Sequence, residues 1–182
     1  MSPQLHVLYT EKASLDVLRP ILERLPQPPK HARMAIKPNL VVPKPSTSGA
    51  TTDPALVACI IRYLQEKGHS DIRVVESSGV GDATHRAFRV CGYEEISRTY
   101  GVPLVDLKKD KASKVTALDL HIEICQEALD ADFLINIPVL KAHCQTNLTC
   151  ALKNLKGCIP DREKRRFHAL GLHKPIAALN TV

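Results

Sequence analysis

Short apolar runs alternate along this chain with longer stretches whose apolar positions recur every three or four residues. The former predict strands and the latter helices. Residues 5–9, LHVLY, read as a strand, and Leu15, Leu18, Ile21, Leu22 and Leu25 follow at helical spacing until the segment from Pro26 to Lys30 breaks the pattern. Met34 to Lys37 reads as a second strand that runs into a long polar loop, KPNLVVPKPSTSGATTDP. Loops of this kind are usually functional or mobile. The next helix is the clearest: Thr52 or Asp53 can cap it, Pro54 suits its first turn, Gly68 ends it, and Val57, Ile60, Ile61 and Leu64 form its buried stripe.

Ile72 to Val75 is the next strand, entering the loop Glu76-Ser77-Ser78-Gly79-Val80-Gly81-Asp82. Asp82 is expected to cap the helix carrying Ala87, Phe88 and Cys91. A second helical piece runs from Gly92 to about Gly101, Leu104 to Leu107 reads as a strand, and residues 108–120 read as an edge hairpin. A helix is expected from Ile122 to Leu129, then the most apolar strand, Phe133 to Ile137, whose continuous run suits burial on both faces. From Asn147 to Ile159, Leu148, Ala151, Leu152 and Leu155 fall on one helical face and Thr149, Lys153 and Lys156 on another, with Thr146 or Asn147 as cap and Gly157 as terminator.

This alternation predicts an α/β fold, a mostly parallel sheet with helices on both faces. The chain, residues 1–182, reads as a single α/β domain. Pro175 to Val182 reads as a helix with no returning strand, so the sheet is expected to be incomplete at the C-terminus and the chain to be the N-terminal part of a longer architecture. Ligands of such sheets bind outside the carboxyl ends of the strands. The loops after Lys37, Glu76 and Ile137 are therefore expected to converge.

Composition narrows the chemistry. Aromatic residues make up only 4% and Trp is absent, which disfavours a base-stacking nucleic-acid platform. The formal charge of +6 favours an anionic partner, but Lys and Arg are spread from Lys12 to Lys174 rather than gathered on one face. The run Asp161-Arg162-Glu163-Lys164-Arg165-Arg166 reads as a solvated helix start. No secretory signal or membrane-length apolar stretch is visible, so a cytoplasmic location with reduced thiols is expected. Cys144, Cys150 and Cys158 lack the close spacing of zinc or iron–sulfur ligands, and no metal site is assigned. Phosphate-loop, nucleophile-elbow and dinucleotide-binding motifs are absent.

The strongest candidate chemistry lies between Lys141 and Lys156. Lys141 and His143 alternate on one side of an extended segment and precede a predicted helix start, whose free N–H groups favour an anion. Lys37, Lys141, Lys153 and Lys156 are the expected anion-holding residues, with Asn39, Ser77, Ser78, Gly79 and Asn154 completing the binding loops. His143 and Glu76 are candidate proton-transfer groups, and Lys153 is grouped with them as a candidate catalytic residue. The expected ligand is a carboxylate- or phosphate-bearing small molecule; the pattern specifies no cofactor.

Four blocks, IKPNLVVPKPSTSGATTDP, VVESSGVGD, LINIPVLKAHCQTNLTCALKNLKG and PDREKRRFH, appear in order from Met34 onward. They resemble the signature blocks of the domain of unknown function 362 family. The resemblance implies a bacterial or archaeal cytoplasmic α/β protein with longer relatives, many of which append a ferredoxin-like iron–sulfur segment. It thereby implies an alternative role, a non-catalytic or electron-transfer accessory that pairs with a ferredoxin-like protein or segment. The order His143, Lys153, His168 is also similar to the N-terminal domain of nickel-pincer lactate racemases. That resemblance implies Lys153 as the cofactor tether, His168 as metal ligand and His143 as proton carrier, although Thr149-Cys150-Ala151-Leu152 replaces the glycine-rich run before the racemase lysine.

Overall fold

The computed structural model describes residues 5–182. In chain order the elements are α1 (Leu15–Leu22), β1 (Met34–Lys37), α2 (Pro54–Glu66), β2 (Ile72–Glu76), α3 (Thr84–Val90), α4 (Tyr93–Tyr100) and β3 (Leu104–Asp106). They continue with β4 (Ala112–Ala117), β5 (Leu120–Cys125), α5 (Gln126–Leu129), β6 (Phe133–Asn136), β7 (Lys141–His143), β8 (Asn147–Thr149), α6 (Ala151–Asn154), α7 (Asp161–Ala169) and α8 (His173–Leu179). The main sheet is parallel throughout, with strand order β3-β2-β1-β6. The protein is therefore α/β, a four-stranded parallel sheet flanked by helices.

Alternation along the strands builds two apolar layers. Met34, Ile36, Ile72 and Val74 pack with residues of α1 to α4, with Phe133 and Ile135 against them. The intervening residues Ala35, Val75, Val105 and Leu134 face the opposite layer with Leu107 and Cys125. A further cluster joins Ile122 and Ile124 of β5 to Ile159, Phe167 of α7 and Ile176 and Leu179 of α8. Strand β1 is the pivot: the chain adds β2 and β3 on one side and only later β6 on the other. Such a reversal opens a crevice at the carboxyl ends of the strands. Lys37, Glu76 and Asn136 stand at those ends.

Several sequence-based expectations need correction. Residues 5–9 form no strand; Leu5, Val7 and Tyr9 are exposed, so the apolar run had no partner to pair with. Asp82 does not cap α3, whose cap position is Ala83 without a side-chain bond. The hairpin lies at β4–β5, a separate two-stranded sheet rather than an edge of the main one. The helix expected from Ile122 exists only as α5, because Ile122 and Ile124 alternate with polar residues and bury one face of β5. Strand β6 is half-buried rather than enclosed, since among the described residues it pairs only with β1.

The largest revision falls on residues 147–159. Asn147 takes a positive φ of 59°, which a short amide side chain tolerates, and turns the chain into the β7–β8 hairpin. Helix α6 starts only at Ala151 and tightens into a 3-10 turn over Leu155–Cys158. The apolar period there was misleading because Leu148 and Leu152 remain exposed. The expected helix start at Thr146 or Asn147 is absent, and Gly157 sits inside the 3-10 turn instead of ending a helix. Among the described residues no helix is long and apolar enough to cross a membrane.

Candidate functional site

At the carboxyl ends of β1 and β2, Lys37 and Glu76 form an ion pair of 2.7 Å with side chains only 1% and 3% exposed. Glu76 Oε1 also accepts from the Ser77 amide at 2.7 Å and Oε2 from the Leu40 amide at 2.7 Å. The Lys37 ammonium donates in addition to the Pro38 carbonyl. Both carboxylate oxygens are thus engaged, and the pair anchors the first residues of two loops. Gly157 covers it: a Cβ there would collide with Glu76 Oε1 and with Lys37 Cε and Nζ. This close approach explains why glycine stands in the 3-10 turn.

Beside the pair lies a chain of amides. Asn154 of α6 donates to Asn136 Oδ1 at 2.8 Å and to the Lys37 and Pro38 carbonyls, and accepts from Asn39 at 2.7 Å. Asn39 Oδ1 in turn accepts from Lys141 at 2.7 Å, and the Lys141 ammonium also donates to the Ala50 carbonyl. The network ties β1, β6, β7 and α6 together at one point. Lys37, Asn39 and Lys141 therefore support the site from within rather than facing its opening.

The opening is a cleft of ≈ 170 Å³ above Glu76. Ser77, Ser78 and Gly79 line one side, and His143, Lys153, Asn154 and Lys156 the other. Gly79 is needed because a Cβ would press 2.8 Å from the Val41 carbonyl oxygen. Eight of the eleven residues singled out from the sequence thus line one cleft, although the helix start expected to frame it does not exist.

Two further basic groups complete the lining, Lys164 and His168 of α7. Lys164, read from sequence as part of a solvated run, is 5% exposed, and Glu163 beside it is 4% exposed. The Lys164 ammonium donates to the Ser77 and Ser78 carbonyls, to Ser77 Oγ and to Asp161. Lys108 fastens the same loop to α7 by donating to the Gly79 and Asp82 carbonyls and to Asp161. The spacing of Glu163, Lys164 and Phe167 along one helical face was the available signal for burial. The four other charges of the run, Asp161, Arg162, Arg165 and Arg166, masked it.

Charge inside the cleft is one-sided. Burial pushes the Lys156 ammonium down to about 8, with repulsion from Lys153 and Lys164 adding to it. Lys153 is lowered by burial, and Lys141 by burial and then by Lys153. Burial lowers Lys164 as well, against the attraction of Asp161. His143 and His168 are both held below the ordinary histidine value by burial first and the lysines next. Among the described residues the one carboxylate lining the cleft, Glu76, is already paired with Lys37.

Hydrogen bonding defines the histidines further. His143 Nδ1 accepts from the backbone amides of Gln145 and Thr146, so in the neutral ring the proton sits on Nε2. His143 presents a donor to the cleft. His168 Nε2 lies 3.1 Å from the Lys156 ammonium. Lys153 makes no hydrogen bond or ion pair among the described residues. No group of three or more His, Cys, Asp or Glu side chains among them is placed to hold a metal ion.

Comparison with known proteins adds a lineage to this geometry. The chain is 31% identical over 136 residues to a thylakoid-associated protein of Synechocystis sp., an alignment covering 75% of this chain and 42% of that protein. The matched part of the chain thus spans less than half the length of this curated relative. Residues 34–182, which hold every residue of the cleft, match the family described as Domain of unknown function (DUF362), and the chain belongs to that family.

Proposed function

We propose that the cleft holds the carboxylate or phosphate group of a small molecule, and that the chain is an enzyme or the ligand-binding part of one. The observation that carries this reading is the set Lys153, Lys156, Lys164, His143 and His168 around one small cleft whose single carboxylate is neutralised from below. Buried like charges depress one another, and an anion relieves them. Lys153 supplies the free ammonium, His143 the Nε2–H donor, and Ser77 and Ser78 the polar wall. Glu76, with both oxygens engaged, acts as a structural charge in this reading. Proton transfer passes to the Lys156–His168 pair, whose nitrogens already touch.

The test is calorimetric titration with inorganic phosphate of the parent chain and of Lys153→Met, with folding checked by circular dichroism. Binding that weakens at least tenfold in a folded variant supports the reading; unchanged binding removes it.

A second reading rests on a narrower observation. His143, Lys153 and His168 line the same cleft, and Lys153 is without a partner among the described residues, as a tether for a covalently attached cofactor requires. His168 would then have to turn from Lys156 to present its nitrogen to a metal. Intact-mass analysis of protein purified from cells making the full-length gene product decides it: an adduct mapping to Lys153 favours the tether, and an unmodified Lys153 excludes it.

A further inference from the structure

Lys156 differs from its neighbours in the cleft. Among the described residues Lys153 is unpartnered, Lys141 and Lys164 are fully engaged by carbonyls, a side-chain amide or a carboxylate, and Lys37 is paired with Glu76. The only hydrogen-bond partner of Lys156 among the described residues is an imidazole nitrogen, and no carboxylate pairs with it. An amine kept from carboxylates, pressed by two other cations and touching a base is placed to act as a nucleophile.

The geometry points to Lys156 as an imine-forming residue for a carbonyl compound that also carries an anionic group, a 2-oxo acid or an aldehyde acid. This rests on the anion-binding reading, since the anionic group is what Lys153 and His143 would hold while the carbonyl carbon meets Nζ. The neutral amine adds to the carbonyl carbon, forming a carbinolamine. The carbonyl oxygen takes one Nζ proton to become the carbinolamine hydroxyl and the second as it leaves as water, and His168 carries these protons from nitrogen to oxygen. The balance is one amine and one carbonyl giving one imine and one water, with no oxidant or reductant.

The depressed proton affinity of Lys156 supports this. Near neutral pH its reactive fraction exceeds that of an ordinary lysine on the order of a hundredfold. Exposed Lys174, which pairs with Asp119 on the surface, is the internal reference.

The experiment uses the folded chain with glyoxylate and sodium cyanoborohydride, which reduces an imine to a stable carboxymethyl-lysine, followed by peptide mass mapping. Lys156 should be modified about tenfold faster than Lys174, because desolvation and neighbouring cations activate an amine. Acetaldehyde, lacking the anion, should show no such preference. Lys156→Arg keeps the charge, and its adduct should vanish from the cleft while its melting profile stays intact. Modification of Lys156 no faster than Lys174, or an adduct concentrated on Lys153, overturns the inference. Phosphate titration separates the two failures: phosphate bound but no selective adduct defeats the imine alone, whereas no phosphate binding defeats the anion reading as well.

Discussion

Lys37 Nζ and Glu76 Oε1 lie 2.7 Å apart beneath Gly157, with neither side chain more than 3% exposed. The pair joins the ends of two adjacent parallel strands and leaves no room for a methyl group above it. Gly157→Ala should therefore force the ammonium, the carboxylate or the 3-10 turn aside. We expect a loss of about 3 kcal/mol in urea unfolding, the upper part of the range for overpacking. A variant as stable as the parent would mean that the turn does not press on the pair.

Breaking the pair from one side leaves a buried charge uncompensated. Lys37→Met should destabilise by about 3–5 kcal/mol. The double variant Lys37→Met, Glu76→Gln should recover part of that loss, because both charges are then gone. A double variant worse than either single one, measured by the same unfolding, would contradict the account.

Asn154 joins four other residues through one amide. Asn154→Ala should cost about 3 kcal/mol, since Asn39, Asn136 and two backbone carbonyls lose a buried partner. It should also weaken phosphate binding without removing any cation from the cleft. Unaltered phosphate affinity in the folded variant would show that the network is not needed to position the site.

Proton linkage has a definite sign here. Lys156 is depressed to about 8 in the folded chain, and an anion would raise it again. Phosphate binding should take up protons near pH 8 and weaken as pH rises through that value. Below the ordinary histidine range it should strengthen again, as His143 and His168 gain charge. For folding itself the sign is opposite: the unfolded chain holds the Lys156 proton above about 8 and the folded chain does not, so stability rises between about 8 and the ordinary lysine value. Calorimetry in two buffers of different ionisation heat measures the uptake, and a phosphate affinity flat from pH 6 to pH 9 would defeat the assignment.

The neutral ring of His143 should carry its proton on Nε2, because Nδ1 accepts two backbone amides. Nitrogen-15 shifts of the ring report the tautomer directly. A proton found on Nδ1 at pH 8 would mean that the β7–β8 turn is built differently.

The parallel sheet was legible because Met34 to Lys37, Ile72 to Val75 and Phe133 to Ile137 are short apolar runs separated by a capped helix and by glycine turns. The site was legible in part for the same reason: strand ends carry Lys37 and Glu76, and the loop beyond β6 carries Lys141 and His143. Periodicity failed where burial did not follow it. Leu148 and Leu152 have helical spacing but stay exposed, and Asn147 turned the chain before a helix could start. Lys164 was missed because a run of charges says nothing about which one points inward, and the acceptors that draw it inward, Ser77 and Ser78, lie 86 or more positions away in sequence.

The β7–β8 hairpin consists of two three-residue strands and holds His143 over the cleft. Two-stranded hairpins of this size have little stability of their own. Its main polar fastening to the sheet is Lys141 on Asn39 and Ala50. The cleft consequently has stiff walls, the loops pinned by Lys108 and Lys164 and the α6 turn pinned through Asn154, and one softer corner where the hairpin holds His143. Amide protons of residues 141–149 should exchange through this small opening long before those of β1 and β2, and a ligand of the proposed kind would enter and leave at the rate of a hairpin rather than that of a domain.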